Sequence, residues 1–186
     1  MRFGYPVFLD LHDVDVLVVG AGAIGLRKIR SALDAGARVH VVAIEVDPSL
    51  DASTLASVRI GAYGSSDLDG KRLAITATGV RAIDASVAGD AKERGIWVNA
   101  ADQPDDCTFI LPAIARTDDL SVAVSSDGTA PAVASWLRDR IRREILDAET
   151  RSIAAEIAAR RRWLHAAGDS TEQVDWRAQI EALRER

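Results

Sequence analysis

Residues 14–43, VDVLVVGAGAIGLRKIRSALDAGARVHVVA, constrain this chain more than any other stretch. An apolar run from Val14 to Val19 enters Gly20-Ala21-Gly22-Ala23-Ile24-Gly25. A helical pattern follows, then Gly36 and a second apolar run from Val39 to Ala43. That order predicts strand, tight turn, helix and parallel strand. Gly20 permits the turn, Gly22 lets a pyrophosphate approach the backbone, and Gly25 lets the helix pack close on the sheet. An anion placed there meets unsatisfied N–H groups and the positive end of the helix dipole. The stretch therefore implies a dinucleotide site, with Gly20, Gly22 and Gly25 as cofactor-binding residues.

Apolar runs and helical patterns keep alternating through the first two-thirds of the chain. Strands are predicted at 14–19, 38–43, 57–60, 73–77 and 96–99, with helices at 23–35 and 81–94. That is an α/β pattern, an open parallel sheet with helices on both faces and the strand from Val14 at its centre. Beyond Asn99 the character changes. A loop, AADQPDDC, leads to Phe109-Ile110-Leu111-Pro112, a short strand at Leu120 to Val124, and a turn-rich segment ending at Pro131. Helices are predicted at 132–147, 149–166 and 171–186. A lone five-residue strand cannot form a sheet. It is expected to pair with a second copy of the chain, making a homodimer, rather than join the edge of the first sheet.

Charge and composition narrow the function. With 23 basic against 28 acidic residues the net charge is −5, which argues against general nucleic-acid binding. No apolar run reaches the ~18 residues of a membrane span, and the N-terminus lacks the pattern of a signal peptide. One cysteine, Cys107, rules out an internal disulfide and suits a reducing compartment. His12, His40 and His165 lack metal-ligand spacing, so no metal site is expected. A soluble, cytoplasmic protein is the expectation.

Several side chains could carry chemistry. Glu45 lies two positions past the predicted strand end, near the usual ribose-binding acid, and no Arg, Lys or Ser occurs between Ala43 and Pro48. NAD is thus favoured over NADP, with a solvated loop acid as the alternative for Glu45. Thr76, Ala77 and Thr78 end the fourth strand, where ligands of doubly wound sheets rest; Thr78 also suits a helix N-cap. Asp102 follows the next strand end and would accept a proton if apolar walls enclosed it. Arg138 and Arg142 share a helix face at i, i+4 and suit carboxylate capture, against the plainer reading of a solvated face.

Five segments in order resemble one family: YPVFLDL, VVGAGAIGLRK, VNAADQP, FILPAI and AVSSDGTAPAVASWLRDRIR. Together they are similar to the precorrin-2 dehydrogenases of the siroheme-synthase type, some of which also act as sirohydrochlorin ferrochelatases. The resemblance spans roughly residues 5 to 146. It implies a Rossmann-type domain over 1–112, a small dimerisation domain over 113–146 and a helical C-terminal region over 147–186. It implies that NAD takes a hydride from the tetrapyrrole precorrin-2, giving sirohydrochlorin. Asp102 matches the family's essential aspartate. Ala23, Ile24, Ile44, Glu45 and Thr76 to Thr78 match its NAD-contacting segments. Ser125 and Ser126 fall at its tetrapyrrole site, where Arg138 and Arg142, and less strongly Lys28 and Arg116, gain a substrate-carboxylate role. Where relatives often have GGGxVA this chain has Gly20-Ala21-Gly22-Ala23-Ile24-Gly25, and Ala130 stands where many have serine. No methyltransferase domain follows, so a stand-alone dehydrogenase is expected. The competing readings are an NAD-binding redox sensor without turnover, and a metal chelatase alone.

Overall fold

The computed structural model describes residues 2–185, grouped into two compact units divided between Leu111 and Pro112. The first unit is a five-stranded parallel sheet in the order β3-β2-β1-β4-β5. Its strands are β1 (Asp15–Ala21), β2 (Arg38–Val46), β3 (Ser57–Ile60), β4 (Leu73–Thr76) and β5 (Trp97–Ala100). Helices α1 (Ala23–Asp34) and α2 (Arg81–Glu93) link consecutive strands.

Strand alternation divides β1 between two cores. Val16 and Val18 point to one face, packing with Ile29 and Ala32 of α1 and with Val39 and Val41 of β2. Leu17 and Val19 point to the other, with Val87, Ala88 and Ala91 of α2 and Val98 of β5. A strand covered on both faces has to be apolar throughout, which is why DVLVVGA carries no polar residue after Asp15. The central position expected for this strand is the one observed.

Two boundaries differ from the sequence expectation with consequences for the site. β2 continues past Ala43 to Val46, so Ile44 and Glu45 belong to the strand rather than to a loop. Val19 pairs with Val42 but Ala21 with Val46, so two extra residues of β2 bow out opposite Gly20. Thr78 is not the N-cap of α2; Val80 is, and the Thr78 hydroxyl instead accepts the Val80 N–H at 3.1 Å.

The second unit begins with an antiparallel hairpin, β6 (Ala113–Arg116) with β7 (Ser121–Val124). The short strand thus finds its partner within its own chain, which corrects the expectation that it pairs with a second copy rather than with the edge of the first sheet. β6 escaped the sequence reading because Pro112 and the apolar FILP run masked a four-residue strand. Helix α3 (Pro131–Arg140) packs on both strands and continues into a π-helical turn, Ile141–Ile145, closed by Leu146 N–H to Ile141 C=O at 2.9 Å. The helix expected over 132–147 is thus observed over 131–145, with its last turn widened to π geometry. Helices α4 (Ala148–Ala166) and α5 (Trp176–Arg184) pack together, each N-capped by its own aspartate, Asp147 and Asp175. The latter starts α5 five residues later than expected.

At the N-terminal rim of the first sheet, Asp15, His40 and Ser57 form a row across three strands. His40 Nε2 lies 2.7 Å from Asp15 Oδ1 and His40 Nδ1 lies 2.8 Å from Ser57 Oγ, while Arg38 bonds the second Asp15 oxygen. The hydrogen bond to His40, then that to Arg38, holds the Asp15 carboxyl below its ordinary range. A lowered carboxylate contributes stability in full above its unfolded value and loses it as pH falls through the folded one. Asp15→Asn should therefore lower Tm by a few degrees at pH 7 (~2–4 °C). The gap from the unaltered protein should close on acidification below about pH 4. Thermal unfolding across pH measures it, and a gap independent of pH would refute the assignment.

Candidate functional site

All five strands run parallel, so the ends of β1, β2, β4 and β5 share one rim, where ligands of such sheets are held. The rim is built around glycine. Gly20 has φ +95°, and a Cβ there would lie 2.5 Å from the Ala77 carbonyl oxygen at the exit of β4. A Cβ on Gly25 would collide with the Gly20 carbonyl. Gly22, the N-cap of α1, is different: its backbone is extended (φ −76°, ψ −172°) and nothing lies within 4 Å of where its Cβ would be. Neither a side-chain cap nor an acidic residue in the first turn occupies this helix start. The space above Gly22 and the uncapped N–H groups of α1 fit a nucleotide pyrophosphate.

Around that point Ala23 and Ile24 are exposed on the first turn of α1, and Ile44 and Glu45 are exposed on the bowed end of β2. Ile44 keeps 64% of its surface, an unusual exposure for isoleucine beside a buried sheet. Thr78 is half-buried on the rim, but Thr76 is fully buried and Ala77 nearly so. Thr76 therefore supports the rim rather than lining it.

The β5 exit carries Asp102. Gln103 N–H closes a turn onto Ala100 C=O at 3.3 Å, and Ala101 N–H donates to Thr76 C=O at 2.9 Å, fixing the turn beside β4. Asp102 sits in it at φ 58°, a left-handed conformation uncommon outside glycine but tolerated by aspartate. Its side chain is exposed, and its own unit does not supply the apolar enclosure on which the sequence argument was conditional. Cys107 anchors the far end of the loop, its buried sulfur accepting the Ala100 N–H at 3.2 Å. Burial pushes the Cys107 thiol up, which keeps it protonated and unreactive.

Three further side chains support this rim, of which Gln103 and Asp84 escaped the sequence reading. Lys28, on α1, donates to Asn99 Oδ1 at 2.9 Å, and burial lowers its ammonium pKa against the opposing pull of Cys107 and Asp102. Gln103 Nε2 reaches Asp84 Oδ2 at 3.4 Å. Asp84 itself is buried in the first turn of α2, where Asp84, Val87, Ala88 and Ala91 line one stripe. A charged residue inside an i, i+3, i+4, i+7 apolar stripe was the signal available to find it.

The remaining candidates belong to the second unit. Ser125 Oγ accepts the Asp127 N–H and Ser126 Oγ accepts the Ala130 N–H, each at 3.1 Å, so both hydroxyl hydrogens remain available as donors among the described residues. Arg138 and Arg142 straddle the α3–π junction. Arg138 is tied to Asp139 at 2.8 Å, holding that carboxyl below its ordinary range, while Arg142 makes no direct salt bridge among the described residues. Arg140 pairs with Glu144 at 2.9 Å and stacks 5.2 Å from the Trp136 ring, so the arginine cluster is largely met by its own helix. Arg116 donates to Ser121 Oγ across the hairpin at 3.1 Å.

Known proteins resemble this chain. The family described as "Putative NAD(P)-binding" matches residues 7–113, and that described as "Sirohaem biosynthesis protein central" matches residues 118–144. The siroheme synthase of Methylococcus capsulatus is 42% identical over 139 residues, covering 73% of this chain and 29% of that protein. That of Nitrosomonas europaea is 42% identical over 159 residues, covering 83% and 33%. The chain thus spans about a third of the length of these relatives. The solved structure of SirC, a precorrin-2 dehydrogenase, superposes with a TM-score of 0.72 at 27% identity, covering 97% of this chain and 88% of that one. With more than half of its length matched, and with the glycine-lined rim inside the matched region, the chain belongs to the NAD(P)-binding family.

Proposed function

We propose that this protein catalyses NAD-dependent oxidation of precorrin-2 to sirohydrochlorin. One observation carries the reading: a helix start without a side-chain cap or a first-turn acid and a carboxylate on a left-handed turn share one rim of the sheet. The likeness to SirC along nearly the whole chain supports it. The coenzyme, when bound, supplies the hydride acceptor, and the protein's part is to bind, orient and move the proton. The N–H groups after Gly22 take the pyrophosphate, and Ile24 and Ile44 cover the nucleotide with apolar surface. Glu45 takes the ribose hydroxyls; with no cation between Ala43 and Pro48, that end of the site favours NAD over NADP. Asp102 accepts the proton released as the macrocycle is oxidised. Ser125, Ser126, Arg138 and Arg142 bind substrate carboxylates, Arg142 most directly because its charge has no salt-bridge partner among the described residues. Residues 113–146 form a homodimer interface, and the protein works in the cytoplasm.

Mixing the protein with NAD and enzymatically made precorrin-2, without metal, should give the absorbance of sirohydrochlorin. Asp102→Asn should cut kcat by about 10²–10⁴ with coenzyme affinity nearly unchanged. Coenzyme binding without turnover in the unaltered protein would instead favour a redox sensor. Gly22→Asp should act in the opposite sense, leaving the fold intact because its Cβ meets no atom, yet abolishing NADH binding by bulk and charge; a normal titration would remove the phosphate assignment. Light scattering at micromolar concentration should return twice the mass of one chain, and a monomer would overturn the interface.

A further inference from the structure

We propose that Asp84 is a positioning residue that couples the coenzyme rim at Thr76–Thr78 to the turn presenting Asp102, acting through Gln103. The inference rests on the reading of this rim as the coenzyme and proton-transfer site.

The Asp84 carboxylate is the shared acceptor of two elements. Its Oδ1 takes the Thr76 hydroxyl, the Thr78 hydroxyl at 2.8 Å and the Thr78 N–H at 3.1 Å. Its Oδ2 takes Gln103 Nε2 at 3.4 Å. Four donors converging on one side chain, 2% exposed, define a carboxylate that acts only as an acceptor. Its place in the first turn of α2 adds the positive end of that helix dipole. Packing alone does not call for it: the stripe of Val87, Ala88 and Ala91 would continue with an apolar residue, and burying a charge is costly unless it is fully met.

Gln103 depends on Asp84 in turn. Its other amide atom, Oε1, is buried with no hydrogen-bond partner among the described residues, so Asp84 alone sets which way the amide faces. Gln103 is the residue after Asp102 and closes the turn onto Ala100. Asp84 therefore holds the Thr78 edge with one oxygen and the Asp102 turn with the other. A displacement of either is transmitted through a rigid, buried carboxylate.

Three variants test this, with the thermal unfolding of each measured alongside. In Asp84→Ala the threonine donors and Gln103 are both released. NADH Kd should rise about tenfold, and kcat should fall by about 10- to 100-fold. Asp84→Asn keeps the Oδ1 acceptor, and its amide can meet Gln103 once that side chain flips to present Oε1. It should recover most of the loss on both measures. Gln103→Leu frees the turn while sparing the threonines: kcat should fall about tenfold with NADH Kd and the KM for precorrin-2 little changed. Full turnover in Gln103→Leu overturns the coupling, as does unaltered NADH affinity in a folded Asp84→Ala. If Asp84→Ala does not fold, Gln103→Leu still decides. If the unaltered protein binds NADH but leaves precorrin-2 unchanged, the functional reading fails by itself, and the ranking of NADH affinities among the Asp84 variants still decides whether the carboxylate organises the rim.

Discussion

The carbonyl of Gly20 and the Cα of Gly25 meet in a space that admits no side chain, and the nucleotide rim depends on that approach. It brings the first turn of α1 against the end of β1. Gly20 is held from its other side by the backbone of Ala77 and Thr78, so β1, α1 and β4 meet where two side chains are missing. Gly22 is then the one glycine of the turn facing open space. Steric exclusion at two positions and vacancy at the third follow from a single packing requirement, because the helix must come close for its N–H groups to converge above the sheet.

The legible part of the fold was the part governed by period and glycine. The strands of the sheet, both crossover helices and the central place of β1 followed from doubly buried apolar runs separated by amphipathic ones. What escaped was set by pairing. The β2 bulge exists because Ala21 pairs with Val46 rather than Ile44, and nothing local to Ile44 or Glu45 announces it. β6 is four residues long and acquires its identity from β7. The π turn at Ile141–Ile145 continues a segment whose composition reads as ordinary helix. Among the site residues, the glycines and Asp102 stand where motif and strand end put them. The burial of Thr76 and the ties of Arg138 to Asp139 and Arg140 to Glu144 are tertiary facts.

Asp102 combines two properties that stability alone would not select. A left-handed residue is most cheaply a glycine, with a penalty of about 1–2 kcal/mol for a side chain and less for aspartate. An exposed carboxylate on a turn also contributes little to packing. The turn is nevertheless fixed by three separate devices: Ala101 N–H on Thr76, Gln103 N–H on Ala100, and the Cys107 sulfur beneath. Rigid support around an exposed, mildly strained acid is the arrangement expected where the acid must meet a ligand in one orientation.

Asp84 extends the same logic into the core. Local consistency predicts an apolar residue at the head of the α2 stripe, and departures from such consistency concentrate where function is built. Here the departure has a defined return. Removing the acid would take from the Thr76 and Thr78 donors and the Gln103 amide the acceptor they share, so the sheet exit and the Asp102 turn would lose their common reference. The hydrogen bonds that satisfy this buried charge come from both elements that would have to move against each other for the rim to misalign. Electrostatic satisfaction and geometric alignment are therefore one condition at this position: the charge is fully met only when Thr78 and Gln103 are both in place.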